Sequence, residues 1–141
     1  MSQYQASKMT QQKLHFIVID DSKLDCFIAE KIIRNTGVSE SIKSFVDARE
    51  ALEHIKNHPA TDAANKTILI VDIQMPVMNG FEFVEAFEEL PEEIQKGYII
   101  YVLSSSINES DLTRVRNYKS VKHFLNKPLT SNTLSTLVEW I

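Results

Sequence analysis

The sequence predicts one α/β domain of the form (βα)₅, with a parallel sheet covered by helices on both faces. Three observations predict it. Apolar strand-like runs alternate with segments of helical period along the chain. Two of those runs, 67–73 and 98–104, are almost continuously apolar, as expected of parallel strands buried on both faces. The links between elements are short, which suits right-handed crossovers laid back over a single sheet.

In chain order the expected strands are β1 at 14–20 (LHFIVID), β2 at 41–46 (SIKSFV), β3 at 67–73 (TILIVDI), β4 at 98–104 (YIIYVLS) and β5 at 121–126 (VKHFLN). Helix α1 is expected between Ser22 and Gly37. Ser22 is a good N-cap, Asp25 holds the capping-box position, and Leu24, Ile28 and Ile32 recur at i, i+4. Helix α2 lies between Asp47, with Glu50 beside it, and Pro59; Ala48, Ala51, Leu52 and Ile55 mark its apolar face. Helix α3 runs from Phe81 to Leu90, burying Phe83, Val84 and Phe87 before Pro91 breaks it. Helix α4 spans 108–119 around Leu112 and Val115. Helix α5 spans 131–141, with Leu134, Leu137, Val138 and Ile141 at i, i+3, i+4, i+7.

The bulk numbers bound the function. At 141 residues, 43% hydrophobic and 24% charged, the chain is an ordinary globular domain able to bury a core without staples. Its formal net charge of −4 gives no global positive field, so neither nucleic acid nor a membrane is an expected direct partner. No stretch approaches the length of a membrane span. Residues 1–12 are polar and aperiodic, without the apolar core of a secretion signal, and are expected to form a disordered leader before a domain over 13–141. The single cysteine, Cys26, excludes an internal disulfide and reads as a small buried apolar residue; a cytoplasmic location follows. No linker leads to a second domain, so a stand-alone module is expected.

The chemistry collects at strand ends. Asp20 and Asp21 close β1, Asp72 lies near the end of β3, Ser104 ends β4 and Lys127 follows β5. In an open parallel sheet these ends share one edge, where ligands bind at the reversal of strand order. Two carboxylates about 4 Å apart repel by roughly 4 kcal/mol at an effective dielectric near 20. Three together must be neutralised by protons or by a cation, and all-oxygen ligation suits a hard ion such as Mg²⁺. An Asp-Asp pair can also merely cap the next helix, although Ser22 already offers a cap. Lys127 precedes Pro128, which fixes the turn and admits a cis bond. Facing acids, its ammonium offers a point charge for a phosphoryl oxygen. Ser104 supplies a hydroxyl at the same level, though within a Ser-Ser-Ser run turn chemistry is an alternative.

These residues match a family. The acid pair at 20–21, the segment D-I-Q-M-P-V-M-N-G at 72–80, Ser104 and K-P at 127–128 resemble the receiver domains of two-component response regulators, over residues 14–141. The resemblance, to a stand-alone receiver of the chemotaxis type, implies a flavodoxin-like, doubly wound sheet of order 2-1-3-4-5. It also implies roles. Asp72 is similar to the phosphoacceptor, supplied by a histidine kinase or histidine phosphotransfer protein. Asp21 and Asp72 are similar to direct ligands of Mg²⁺ or Mn²⁺, Asp20 to a ligand acting largely through water, and the Gln74 backbone carbonyl to the third protein ligand. Lys127 resembles the phosphate-contacting lysine. Ser104 stands at the switch hydroxyl, commonly threonine, and Phe124 at the switch aromatic, which would repack the α4-β5-α5 face toward an unknown downstream protein.

Rival classes fare less well. An aspartyl-phosphate hydrolase places a second acid two residues after its nucleophile, where this chain has Gln74. A flavin module needs a hydroxyl- and glycine-rich loop after β1, which is absent. The chain is therefore expected to be no enzyme beyond gaining and losing its own phosphoryl group. A degenerate receiver, binding partners without phosphate, is the alternative. Six glutamates around α3 (82, 85, 88, 89, 92 and 93) and a basic patch of Arg114, Arg116, Lys119 and Lys122 around α4 read as solvated faces, the basic one open to an acidic partner. His54 and His58 stand at i, i+4 with no acidic third ligand, so zinc is not expected.

Overall fold

A computed structural model describes residues 14–58, 66–106 and 108–140. The expected leader at 1–12, Pro59 and Ile141 lie outside the described residues. Five parallel strands form one sheet in the order β2-β1-β3-β4-β5. They are β1 (Leu14–Ile19), β2 (Ser39–Phe45), β3 (Thr67–Asp72), β4 (Tyr98–Ser104) and β5 (Val121–Asn126). The helices are α1 (Lys23–Asn35), α2 (Ala48–Asn57), α3 (Gly80–Phe87), α4 (Glu109–Arg116) and α5 (Ser131–Glu139), with a separate helical turn at Glu92–Gln95. None of the described helices is long and apolar enough to cross a membrane.

Side-chain alternation along the strands makes two cores. Ile17, Ile19, Leu69, Val71, Ile100 and Val102 pack against α2, α3 and Val115 of α4. Phe16, Val18, Ile68, Ile70, Tyr101 and Leu103 face α1 and α5 through Cys26, Ala29, Ile33, Leu134 and Leu137. Phe83 and Phe87 are fully buried from α3, each contributing about 2–3 kcal/mol by removal from water.

Each helix begins where a polar side chain takes up an orphan amide. Ser22 accepts from the Asp25 N–H, Asp47 from Arg49, Asn108 from Asp111 and Thr130 from Thr133. Asn79 forms a reciprocal capping box with Glu82, so α3 starts at Gly80, one residue before the expected Phe81. It ends at Phe87 rather than Leu90, and Pro91 opens the extra turn. Strand β2 starts two residues earlier than expected because Leu14 pairs with Ser39 and donates to the Val38 carbonyl.

The i, i+4 series Leu24, Ile28, Ile32 lies in helix α1 as its spacing predicts, but it does not mark the buried face. Leu24 is 66% exposed, and the helix buries Cys26, Ala29 and Ile33 instead. Asp25 does not reciprocate the Ser22 cap either; its carboxylate points to Lys127.

Candidate functional site

Strand order reverses between β1 and β3, and the chain leaves these neighbours in opposite directions. Helix α1 covers one face, while α2 and α3 cover the other. This opens a crevice at the carboxyl edge. Both strands continue there into acids. Asp20 and Asp72 stand on the even positions that face α1 and α5, as Phe16, Val18, Ile68 and Ile70 do. Both are buried, at 3% exposure, while Asp21 is exposed.

Carboxylate oxygens of Asp20, Asp21 and Asp72 lie within 4.8 Å of one another, a grouping of possible metal ligands found nowhere else among the described residues. Lys127 reaches into the group. Its Nζ lies 2.9 Å from Asp20 Oδ2, 3.5 Å from Asp72 Oδ2 and 3.0 Å from Asp25 Oδ2. The other Asp20 oxygen accepts the Ser22 N–H at 3.0 Å, which fixes the carboxylate. The Lys127–Pro128 bond is cis, and the Lys127 N–H donates to the Ser104 carbonyl at 2.9 Å, tying the lysine loop to the end of β4.

The charges do not balance. One ammonium contacts three carboxylates, Asp20 and Asp72 among them buried, and Asp21 adds a fourth negative charge beside those two. Burial, and then the Asp20 charge, push the Asp72 carboxyl from 3.8 up to about 6, against the opposing pull of Lys127. Burial alone would lower the lysine, but hydrogen bonds to Asp20 and Asp25 and the charges of Asp20 and Asp72 outweigh it and raise the ammonium above its usual range. Removal of water thus leaves an excess of negative charge with oxygen donors only. A hard divalent cation fits that donor set.

The remaining expected residues take distinct places. Gln74 is exposed just past β3, and its N–H approaches Asp72 Oδ1 at 3.4 Å. Ser104 is fully buried; its hydroxyl donates to the Ser106 carbonyl at 3.0 Å and accepts the Ser106 N–H at 3.1 Å. Phe124 is part-buried against the α2–α3–α4 core, beside Val102 of β4. Between Asp72 and α3 the chain folds back tightly. The Gly80 N–H donates to the Ile73 carbonyl at 2.8 Å, and a Cβ at Gly80 would stand 2.6 Å from the Asp72 carbonyl oxygen. Within this loop exposed Val77 takes φ 69°, a left-handed conformation that a β-branched residue rarely adopts.

Sequence reasoning missed Asp25. Its partner lies 102 residues away, and its capping-box position offered a sufficient local explanation. A third acid one turn after the Asp20-Asp21 pair was the available signal. The two charged faces stay solvent-exposed but meet: Arg114 bonds Glu85 of α3 at 3.0 Å, donates to Tyr118 at 3.1 Å and lies over the Phe81 ring at 4.3 Å. Glu88 accepts from the Ser120 N–H and hydroxyl. Lys119 and Lys122 instead line a cavity of about 620 Å³ with Lys66 and Lys96, at the opposite edge of the sheet.

Comparison with known proteins places this architecture. A family model described as the response regulator receiver domain matches residues 16–139. A response regulator receiver protein from Dyadobacter fermentans superposes with a TM-score of 0.78 at 30% identity, over 90% of this chain and 96% of that one. A two component response regulator from Cytophaga hutchinsonii gives 0.81 at 28% identity, over 92% and 97%. The chemotaxis protein CheV1 of Helicobacter pylori is 27% identical over 74% of this chain; the chain spans 33% of that relative's length.

Proposed function

Because the chain belongs to the response regulator receiver family, we propose that it accepts a phosphoryl group on Asp72 and uses the adduct to switch a protein-binding surface. The donor is a histidine kinase or histidine phosphotransfer protein. The observation that carries this is the meeting of Lys127 with Asp20 and Asp72, at 2.9 and 3.5 Å, beside Asp21.

In the transfer a carboxylate oxygen of Asp72 attacks phosphorus. The bond from phosphorus to the donor breaks, its electron pair leaves with the donor group, and an acyl phosphate remains. Asp20, Asp21, Asp72 and the Gln74 carbonyl would hold Mg²⁺, or Mn²⁺ in its place. When bound, that ion supplies positive charge to the transferring oxygens. Lys127 turns its ammonium from the Asp72 carboxylate to a phosphoryl oxygen. Ser104 gives up its bonds to Ser106 to reach another, and Phe124, on the same core face, repacks β5 against α4. The α4-β5-α5 face then presents a changed surface to a downstream protein. A buried, unpaired Cys26 accords with a reducing cytoplasm.

Incubation with acetyl phosphate and Mg²⁺, followed by intact-mass measurement, tests this. A base-labile phosphoryl adduct is expected, absent in Asp72→Asn and in chelator, with no turnover of general phosphoesters. No adduct on the wild type would favour a receiver that binds partners without phosphate.

A further inference from the structure

Lys127 is held from outside the acid group as well as from within it, and the geometry points to Asp25 as a positioning residue that acts through this lysine. The inference rests on the phosphoacceptor reading and deepens it. An ammonium has three N–H donors. Those of Lys127 face Asp20 at 2.9 Å, Asp25 at 3.0 Å and Asp72 at 3.5 Å, and the side chain is only 17% exposed.

Two of these acceptors belong to the group that a cation and a phosphoryl oxygen would claim. Asp25 does not. It stands in the first turn of α1, its own N–H bound to Ser22 at 3.1 Å, and at 42% exposure its carboxylate also meets water. It is thus the one acid around the ammonium that no step of the transfer uses. Both ends of the contact sit on packed elements. Ala29 and Ile33 of α1 share a core with Leu129, Leu134 and Leu137, just beyond the lysine loop.

A free lysine side chain carries several rotatable bonds, whose freedom must be lost before its charge can serve one point in space. Asp25 removes part of that freedom in advance, leaving the ammonium beside Asp72 whether or not Asp20 and Asp72 are otherwise engaged. The contrasting possibility is a half-exposed ion pair of the kind that has no measurable effect.

The test is a double-mutant cycle on the rate of adduct formation from acetyl phosphate and Mg²⁺, using Asp25→Ala, Asp25→Asn and Lys127→Ala in the full chain. Asp25→Ala is expected to slow the rate at saturating donor about fivefold without changing the half-saturating donor concentration. Asp25→Asn, which keeps an acceptor but not the charge, falls between and carries the cycle should the alanine variant fold poorly. In the Lys127→Ala background the same changes alter the residual rate by less than about twofold. A second readout is the ¹⁵N-resolved ammonium signal of Lys127, visible in the wild type and broadened by exchange in either Asp25 variant. An unchanged rate, an equal loss in both backgrounds, or an unaltered ammonium signal overturns the assignment. Absence of any wild-type adduct would instead overturn the phosphoacceptor reading itself.

Discussion

Replacing Asp72 by asparagine should stabilise the fold, and the size of the effect follows from the site. The carboxyl is raised from 3.8 to about 6 by burial and by Asp20, with Lys127 already counted against the rise. At about 1.4 kcal/mol per unit, ionised Asp72 costs the native state about 3 kcal/mol. Asparagine keeps the shape and an oxygen for the Gln74 N–H, and removes the charge. The sign runs one way. An acid whose native value is raised holds its proton more tightly when folded, so wild-type stability falls as pH rises from 3.8 toward 6. The deficit is complete above that range. Urea unfolding followed by circular dichroism in chelator is the assay. Asp72→Asn should be more stable by about 3 kcal/mol near neutral pH, and by only about 1 kcal/mol near pH 4.5. Added Mg²⁺ should narrow the gap by stabilising the wild type, as expected of an ion that the native acids alone would hold. An asparagine variant no more stable than the wild type at neutral pH would refute the electrostatic reasoning.

Other consequences concern the loop and the switch. Val77 at φ 69° is strained; Val77→Asn should raise stability by about 1 kcal/mol, seen as a higher Tm. Gly80→Ala would set a Cβ against the backbone of Asp72 and Ile73, at 2.6 and 2.7 Å. It should cost about 2–3 kcal/mol in urea unfolding and weaken Mg²⁺ binding measured by calorimetry, because Asp72 must shift. Phe124→Ala should leave adduct formation within about twofold while abolishing the amide shifts that the proposed switch predicts across α4 and β5 on adduct formation. If those shifts persist, the aromatic takes no part in switching.

Much of this arrangement is legible in the sequence. The almost continuous apolar runs of β3 and β4, only 6 and 7 residues long, have the length and pattern of strands covered on both faces, and they set the edge at which Asp72 and Ser104 emerge. The acid pair and the lysine then follow from topology, since parallel strands bring their carboxyl ends together. What was not legible depended on which of two good fits prevailed. In α1 both Leu24-Ile28-Ile32 and Cys26-Ala29-Ile33 satisfy the helical period. The sheet accepts the second set, two of its members small, and leaves Leu24 and Phe27 at 66% and 61% exposure. Periodicity cannot rank faces that are both apolar. Arg114 and Glu85 looked like opposite solvated faces because each has like charges near it in sequence, Glu82 and Glu88 for one and Arg116, Lys119 and Lys122 for the other; only the packing of α4 beside α3 shows that they meet. Asp25 was hidden for a similar reason, a local role having sufficed to explain it.

The most direct measurement maps the phosphoryl to its residue. After incubation with acetyl phosphate and Mg²⁺, borohydride reduces an aspartyl phosphate to homoserine, which peptide sequencing by mass spectrometry locates. The account predicts homoserine at position 72 alone, lost in chelator and strongly diminished in Lys127→Ala. Homoserine at position 20 or 21, or none anywhere, would contradict it.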